Sequence, residues 1–290
     1  QIVLDGEAAK QPPAFRHIDG RLVSCIIRTS RALATLAHRP VPGKLQAAAL
    51  LVGNQRTAAA LPQGHKAAVH EVVESGADLD RWPPKEYPVT EGAGKVRFVF
   101  CGRLVDWKGA QYLVKAFEPL ARQRGDVHLD LIGDGELLDS IRRQVAAADI
   151  GHAVTVHGRL PLEACIEYMR RGDVYVMPSL RECGGLALLD AMAIGLPVVA
   201  CNWMGPAEYL NERCAILVDP DSEQALVDGF TAAMARLADS SELRRSLGEG
   251  ARRRVLAGYF GWTRKTDRVV EILEQVVREQ RGHAGASSRE

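Results

Sequence analysis

Residues 178–200 read PSLRECGGLALLDAMAIGLPVVA. An apolar run, Val174–Met177, precedes this stretch, and a second apolar run at 198–200 closes it. Short runs of this composition predict strands, and the largely apolar segment Leu186–Ile194 predicts a helix between them. Two strands joined by a helix are typical of a parallel sheet whose faces are covered by helices.

The same alternation of strand and helix patterns extends outward from this stretch. Further strands are predicted at 96–100, 127–132, 154–156 and 216–218, with helices at 110–124, 136–148, 162–170 and from 222 onward. We therefore predict an α/β fold with a Rossmann-like parallel sheet in residues 87–258. A terminal helix at 259–281 is expected to follow. Residues 282–290 carry almost no apolar side chains and are expected to form a disordered tail.

The first 86 residues differ in texture and predict only part of a second α/β domain. Its recognisable elements are an apolar run at 45–52, a short helix at 57–61 and a strand at 68–73. Residues 81–94 contain three prolines and two glycines, which favours a linker over a regular element. The sequence starts at Gln1 without an initiator Met or a signal-peptide pattern, so we expect a processed or incomplete chain.

Composition argues against several functional classes. The 290 residues carry a formal net charge of +1, so bulk charge gives no reason to expect nucleic-acid binding. No stretch approaches the roughly 18–20 uninterrupted apolar residues that span a bilayer. The six cysteines are irregularly spaced without a C-x-x-C pair, which argues against a zinc site or a disulfide framework and favours a reducing cytoplasm. Carboxylate pairs at Asp78 and Asp80, and at Asp219 and Asp221, lie at predicted turns, and we expect no metal there.

Two cations follow the first strand of the predicted main sheet. Arg103 and Lys108 lie on a loop that starts at Gly102 and leads into a helix. A diphosphate needs such charges, and the helix N-terminus would add N–H donors. The alternative interpretation is a solvated loop with two surface cations.

A second polar group follows the strand Val174–Met177. Glu182 is followed by Gly184 and Gly185, and Asp190 lies eight residues beyond Glu182 in the predicted helix. The glycines allow the backbone and its N–H groups to approach a ligand closely. Carboxylates suit sugar hydroxyls, from which they accept charge-assisted hydrogen bonds. An isolated Glu and Asp at surface positions are the alternative.

Two glycine-containing turns follow the remaining strands. Gly158, next to Arg159, would let backbone groups approach a nucleobase, although a simple strand-to-helix turn explains it equally well. Gly133 and Gly135 form half of a dinucleotide fingerprint. Because Leu138 breaks the full G-x-G-x-x-G pattern, the signal for a nicotinamide cofactor is weak.

Together, three motifs resemble the donor-binding domain of family 4 glycosyltransferases, the large retaining group with the GT-B fold. They are Gly102-Arg103 with Lys108-Gly109, Gly133-Asp134-Gly135, and the long stretch 178–200, in the family's order and spacing. The resemblance covers about residues 45–280. It implies a GT-B type fold, with a Rossmann-like parallel-sheet C-terminal domain that binds the donor and a partial, Rossmann-like N-terminal domain on the acceptor side.

The resemblance also implies roles for individual residues. The donor would contact Gly102, Arg103, Lys108, Gly133, Gly158, Arg159, Glu182, Cys183, Gly184, Gly185, Leu186 and Asp190. Arg103 and Lys108 would hold the departing diphosphate in place of a metal, and Glu182 would bind hydroxyls of the donor sugar. These three are the expected catalytic residues, and Cys183 is expected to touch the sugar. Asp190 takes the ribose-binding position, where the family has Glu, so its reach is one methylene shorter.

The N-terminal part departs from the family pattern. Fewer residues precede the linker than a complete acceptor domain needs, and Ser75-Gly76-Ala77-Asp78 replaces the usual Asn-Gly-Val-Asp. The family's glycine-rich amino-terminal loop is not recognisable, and His17 and His38 are weak substitutes for its reactive-face residues. Residues 259–281 resemble the terminal helix that crosses back to the acceptor domain.

The resemblance implies a retaining, metal-independent transfer of a hexose from a nucleotide-diphospho-sugar to a hydroxyl acceptor. The expected partners are that donor, which is a substrate and not a cofactor, and a glycan or lipid-linked acceptor. The expected location is the cytoplasm, and peripheral contact with the inner face of the membrane is compatible with it. A catalytically incomplete nucleotide-sugar-binding fragment is the main alternative, and a GT-B sugar epimerase is a weaker one. The base, the sugar, the acceptor and the oligomeric state stay open.

Overall fold

The computed structural model describes residues 2–3, 12–15, 29, 43–61, 64–85, 94–258 and 260–287. Short elements form the N-terminal part, and they are β1 (Ile2–Val3), α1 (Gly43–Gln46), β2 (Ala49–Val52), α2 (Gln55–Ala59) and β3 (Ala68–Glu71). The strands of the larger part are β4 (Val96–Cys101), β5 (Val127–Ile132), β6 (Val154–Gly158), β7 (Val174–Met177), β8 (Val198–Cys201) and β9 (Ala215–Val218).

Helices connect the strands of the larger part. They are α3 (Ala110–Gln123), α4 (Leu138–Ala147), α5 (Leu162–Arg171), α6 (Leu186–Ile194), α7 (Met204–Tyr209), α8 (Glu223–Asp239), α9 (Ser241–Ala257) and α10 (Trp262–Ser287). In the part of the chain that is described, no helix is both long enough and apolar enough to cross a membrane.

The larger sheet is parallel throughout and has the strand order β6-β5-β4-β7-β8-β9. This is the doubly wound order, in which the chain builds outward from β4 in one direction and then returns to β7 to build in the other. The predicted α/β fold with a Rossmann-like parallel sheet is therefore confirmed. The reversal between β4 and β7 opens a crevice beyond the carboxyl ends of these two strands.

Helices bury both faces of the larger sheet. Phe98 and Val99 are adjacent in β4 and both are fully buried, which requires cover on each face because successive side chains point to opposite faces. On one face Phe98 packs edge-on against Phe117 of α3, with ring centroids 5.8 Å apart. On the other face Val99 belongs to a cluster with Leu189 of α6. Helix α6 is thus a central element, which explains why its sequence is almost wholly apolar.

The N-terminal part contains a three-stranded parallel sheet of order β1-β2-β3. Its described core is small and centres on Leu50, Val52 and Ala67. It joins the larger part where Ala77 lies beside the start of α10. The Ala77 N–H donates to the Phe260 carbonyl at 2.7 Å, and the Trp262 N–H donates to the Ala77 carbonyl at 3.1 Å. The expected partial second sheet of a GT-B fold is present.

The terminal helix is longer than predicted. Helix α10 continues to Ser287, whereas residues 282–290 were expected to be disordered, and that expectation is wrong over 282–287. The segment contains no proline, and each glycine costs a helix only about 1 kcal/mol relative to alanine, so the helix can continue into it. Residues 288–290, most of the predicted linker, and the candidates His17 and His38 lie outside the described residues.

Candidate functional site

A cleft lies at the reversal point of the larger sheet. It has two contiguous halves of about 630 and 540 Å³, and Cys101, Gly102 and Arg103 line both. We call them the Glu182 half and the Arg159 half, each after one of its lining residues. Pockets of several hundred Å³ are the usual size for small-molecule ligands.

The structure brings most of the predicted site residues to this cleft. In the Glu182 half the predicted residues are Gly102, Arg103, Lys108, Glu182, Cys183, Gly184, Gly185 and Leu186. In the Arg159 half they are Gly102, Arg103, Gly133 and Arg159. They come from loops that are far apart in the sequence and meet because parallel strands end at one edge of a sheet.

Lys108 and Glu182 form an ion pair inside the Glu182 half. Both side chains are partly buried, with 21% and 14% of their surfaces exposed. The two loops are also joined through the backbone, since the Leu180 N–H donates to the Trp107 carbonyl at 2.7 Å. The cation predicted to hold phosphate and the acid predicted to hold sugar are therefore direct neighbours.

An aromatic ring holds two further cations at the same wall. The guanidinium carbons of Arg103 and Arg181 lie 5.4 and 5.7 Å from the centroid of the Trp107 ring. A guanidinium at this distance is attracted by the ring's quadrupole. Arg103, Lys108 and Arg181 line the Glu182 half together with the carboxylates of Glu74 and Glu182, and the excess of positive charge favours an anionic ligand. Arg181 and Trp107 were not among the predicted site residues, although both stand in the loops that follow β4 and β7.

Helix α6 points its N-terminus at the cleft. Gly185 precedes the helix in the left-handed region, with φ +57°, and a Cβ there would come 2.6 Å from the Tyr209 hydroxyl. That hydroxyl donates to the Gly184 carbonyl at 3.2 Å. Leu186 and its two successors line the cleft, so the first turn of the helix faces the ligand space. Free N–H groups and the helix dipole make such a terminus favourable for anions.

Gly205 fixes the carboxylate-bearing loop from behind. Its N–H donates to the Glu182 carbonyl at 3.1 Å. A Cβ at Gly205 would overlap the carbonyl oxygen of Cys183, so only glycine lets α7 come this close. The position of Glu182 in the cleft thus depends on the start of α7.

Gly133 and Gly135 are needed for packing between loops. Both have positive φ, +146° and +156°, and a Cβ on either would overlap a carbonyl oxygen of the β4 loop, that of Gly102 or of Leu104. The close approach lets the Leu104 N–H donate to the Asp134 carbonyl at 2.9 Å. These glycines therefore shape the floor of the Arg159 half and do not require a nicotinamide cofactor.

Gly158 was predicted to contact the donor, but it is not found among the described residues that line the cleft. Its carbonyl accepts from the Gly133 N–H at 2.9 Å, so it supports Gly133 from behind. Its neighbour Arg159 is exposed and does line the cleft. The turn after β6 turns the Arg159 side chain toward the ligand space and keeps Gly158 buried.

Asp190 is likewise not found among the described lining residues. Burial, followed by the nearby Asp78 carboxylate, raises the pKa of Asp190 to about 7, while Arg81 and a hydrogen bond from the Trp82 side chain act in the opposite direction. The side chain is thus engaged with residues 78–82. The carboxylate still lies near the cleft, because it acts electrostatically on the lining residues Cys101 and Tyr175.

The Arg159 half has an apolar wall. Ile132, Leu160 and Cys165 line it together with Cys101, which lies at the junction with the other half. Burial, and then the nearby Cys165, raise the pKa of Cys101 to about 12, so its thiol stays neutral at physiological pH. In the part of the chain that is described, no group of three or more His, Cys, Asp or Glu side chains is arranged to hold a metal ion.

The N-terminal part contributes one wall of the Glu182 half. Glu74 and Ser75 line the cleft there. Ser75 packs against Gly184 so closely that a Cβ on Gly184 would collide with the Ser75 hydroxyl. Lys265 of α10, only 5% exposed, donates from Nζ to the Ser75 carbonyl. Burial lowers the pKa of Lys265 to about 8, and Glu74 opposes this shift.

Residues 88–254 match the model of a protein family described as glycosyl transferases group 1. The match spans more than half of the 290 residues. The chain belongs to this family. The likeness seen in the motifs of the β4, β5 and β7 loops is therefore confirmed at the level of the family.

Individual relatives agree with this membership. The chain is 31% identical over 261 residues to D-inositol 3-phosphate glycosyltransferase of Pseudarthrobacter chlorophenolicus, covering 85% of the chain and 59% of that protein. It is 27% identical over 220 residues to the GDP-mannose-dependent monoacylated alpha-(1-6)-phosphatidylinositol monomannoside mannosyltransferase of Corynebacterium glutamicum, covering 70% and 56%. The chain thus spans a little over half the length of these relatives.

A solved structure supports the fold. HepE from Anabaena, crystallised in complex with UDP, superposes with a TM-score of 0.68 at 18% identity, covering 89% of the chain and 76% of HepE. At this identity the likeness concerns the fold alone.

Proposed function

We propose that this chain binds a nucleotide-diphospho-sugar in the cleft and takes part in retaining, metal-independent transfer of its hexose to a hydroxyl acceptor. The observation that carries the proposal is the Glu182 half of the cleft. There Arg103, Lys108, Arg181 and the N-terminus of α6 line one space with Glu182, which pairs with Lys108, at the reversal point of a parallel sheet. The cations and the helix N-terminus suit a diphosphate, and the carboxylate of Glu182 suits sugar hydroxyls.

The chemistry follows from the placement of the charges. As the bond between the sugar and the diphosphate breaks, negative charge grows on the departing phosphate oxygens. Arg103 and Lys108 lie where they would stabilise this charge, which is the largest single contribution that many enzymes make to catalysis. The diphosphate would leave and the acceptor would attack on the same face of the sugar, so the bond from the anomeric carbon to the diphosphate oxygen is replaced by a bond to the acceptor oxygen. The proton of the acceptor hydroxyl would pass to the departing diphosphate, while Glu182 holds sugar hydroxyls.

The Arg159 half suits the nucleoside. Its apolar wall can cover the flat face of a base, and the exposed Arg159 guanidinium can donate to base or ribose oxygens. The related mannosyltransferase depends on GDP-mannose, and HepE, which shares the fold, was crystallised with UDP, so both guanine and uracil nucleotides are candidates to test. The proposed acceptor is a glycan or a lipid-linked acceptor reached in the cytoplasm, at the inner face of the membrane where it is lipid-linked.

A ligand screen tests donor binding. Thermal shifts are measured with UDP, GDP and ADP and with their glucose or mannose conjugates, because a ligand that binds only the native state raises Tm. Arg103→Ala and Lys108→Ala should each reduce the shift, and the double variant should abolish it. Lys115→Ala is the matched control, since Lys115 is an exposed lysine on α3 that pairs with Glu223. No shift with any of these nucleotides would contradict the proposal.

A catalytically incomplete donor-binding module is the second candidate. The cleft lining favours it, because among the described residues the N-terminal part contributes only Glu74 and Ser75 to that lining. Donor hydrolysis, measured as release of the nucleoside diphosphate, separates the two candidates. Slow hydrolysis or transfer that Glu182→Ala removes supports the enzyme, whereas binding without turnover supports the module. Turnover that Glu182→Ala leaves unchanged would refute the assigned role of Glu182.

A further inference from the structure

We propose that Lys265 of α10 is a positioning residue for the Glu182 half of the cleft and acts through Ser75. The inference rests on the proposed function of the cleft as a donor site. It connects the terminal helix, 190 residues away in sequence, to the wall beside the donor sugar.

The first support is the burial of Lys265. The side chain is 5% exposed, and its ammonium group donates to the Ser75 carbonyl. Lysines are almost never buried this deeply without a partner, because removing an ammonium from water is costly. The Trp262 ring lies beneath the group, 5.1 Å from Nζ to the centroid, and Glu74 is the charged group that acts on it among the described residues.

The second support is the place of Ser75. Its side chain lines the cleft and touches the backbone of Gly184, where no room remains for a Cβ. Gly184 in turn is held by the Tyr209 hydroxyl and precedes the first turn of α6. A shift of Ser75 would therefore be transmitted directly to the loop between Glu182 and α6.

The third support is the number of bonds that tie this segment to α10. Ala77 makes two backbone hydrogen bonds to the start of α10 and the residues just before it. Its N–H donates to the Phe260 carbonyl, and its carbonyl accepts from the Trp262 N–H. Lys265 adds a charge-assisted hydrogen bond to the carbonyl of Ser75, two residues before Ala77. Because the backbone bonds survive a substitution of Lys265, its removal should loosen Ser75 without detaching the segment.

The test compares Lys265→Met, Lys265→Arg and the control Lys115→Met with the wild-type chain. Calorimetry gives the affinities for UDP and UDP-glucose, with GDP and GDP-mannose as a second pair, and the ratio of the two affinities isolates what the sugar adds. Hydrogen–deuterium exchange followed by mass spectrometry reports on residues 72–79 and 183–187 without any ligand. Melting temperatures show whether each variant is folded.

We expect Lys265→Met to lower the affinity ratio about tenfold, because small displacements in a binding site are costly, while affinity for the diphosphate alone changes less than about twofold. Exchange at 72–79 should quicken, Lys265→Arg should restore most of the ratio, and Lys115→Met should match wild type. Unchanged exchange and ratio, or equal weakening of diphosphate and sugar-nucleotide binding, would overturn the inference. Absence of any nucleotide binding by the wild-type chain would instead refute the proposed function, on which the inference rests.

Discussion

Lys108 and Glu182 form an ion pair that joins the loop after β4 to the loop after β7. In the proposed function, Lys108 contacts the diphosphate of the sugar nucleotide and Glu182 contacts its sugar. The pair therefore makes the two subsites interdependent. Removal of the charge on one partner leaves the charge on the other unpaired in the cleft.

Substitution of Lys108 should weaken binding of the diphosphate, whereas substitution of Glu182 should remove the affinity that the sugar adds. Lys108→Met removes a charge-assisted contact and should weaken binding of the nucleoside diphosphate about tenfold. Glu182→Gln releases Lys108, so the diphosphate should bind at least as tightly as to wild type, while the affinity added by the sugar is lost. Calorimetry with UDP or GDP and with the matching sugar nucleotide measures both effects. Equal losses for both ligands in Glu182→Gln would contradict the assignment.

Gly133→Ala should damage the cleft floor. A Cβ there overlaps the Gly102 carbonyl at a backbone φ of +146°, so the variant should lose about 2 kcal/mol or more of unfolding free energy and displace the Arg103 loop. Gly125→Ala is the matched control, because a Cβ at Gly125 meets nothing within 4 Å. Urea unfolding monitored by circular dichroism gives both values. A Gly133→Ala variant as stable as Gly125→Ala would show that the loops can separate freely.

The pKa of Asp190 predicts a pH dependence of stability. Because burial raises the pKa from its ordinary value of 3.8 to about 7, the native chain binds more protons than the unfolded chain between these two pH values. Stability from this group should therefore fall as pH rises from about 4 to 7. Asp190→Asn removes this pH dependence. The unfolding free energy of the variant minus that of the wild type should therefore be about 1–2 kcal/mol larger at pH 8 than at pH 4.5. Urea unfolding of both proteins at the two pH values measures it, and a gain independent of pH would contradict it.

Substitution of Asp130 in β5 should reduce the unfolding free energy more than substitution of the exposed Asp126 just before that strand. It is 2% exposed and accepts from His157 at 2.7 Å and from Arg97 at 3.1 Å. Asp130→Ala leaves the buried His157 ring without its partner, whereas the partly exposed Arg97 can turn to water, so the variant should lose about 2 kcal/mol of unfolding free energy. Asp126→Ala, which breaks an exposed pair with Arg124, should cost less than about 1 kcal/mol. Chemical denaturation of the two variants ranks them, and similar losses would show that the buried network contributes little.

Much of the architecture could be predicted because it depends on local patterns. The β-branched runs predict β4 to β9, and their carboxyl ends carry Arg103, Lys108 and Glu182, which the doubly wound order brings together. Position after a strand is a strong signal in such sheets, because every strand end reaches the same edge. Arg181 and Trp107 could have been found by the same rule.

The remainder depends on contacts that no local pattern contains. Ser75 and Lys265 are separated by 190 residues, and a lysine in an amphipathic helix usually marks its exposed face. Asp190 stands at the ribose position of the family motif, yet its carboxyl engages residues 78–82. Gly158 and Gly133 are equally plausible as ligand contacts in the sequence, and only the backbone bond between them shows which one supports the other.

The central claim is that the cleft between the β4 and β7 loops binds the diphosphate of a sugar nucleotide. Calorimetric titration of the wild-type chain and of an Arg103→Ala, Lys108→Ala double variant with UDP and GDP tests it most directly. We expect saturable one-to-one binding of one of these nucleotides to the wild-type chain and loss of that binding in the folded double variant. Binding that survives the double substitution, or no binding of either nucleotide to the wild-type chain, would contradict it.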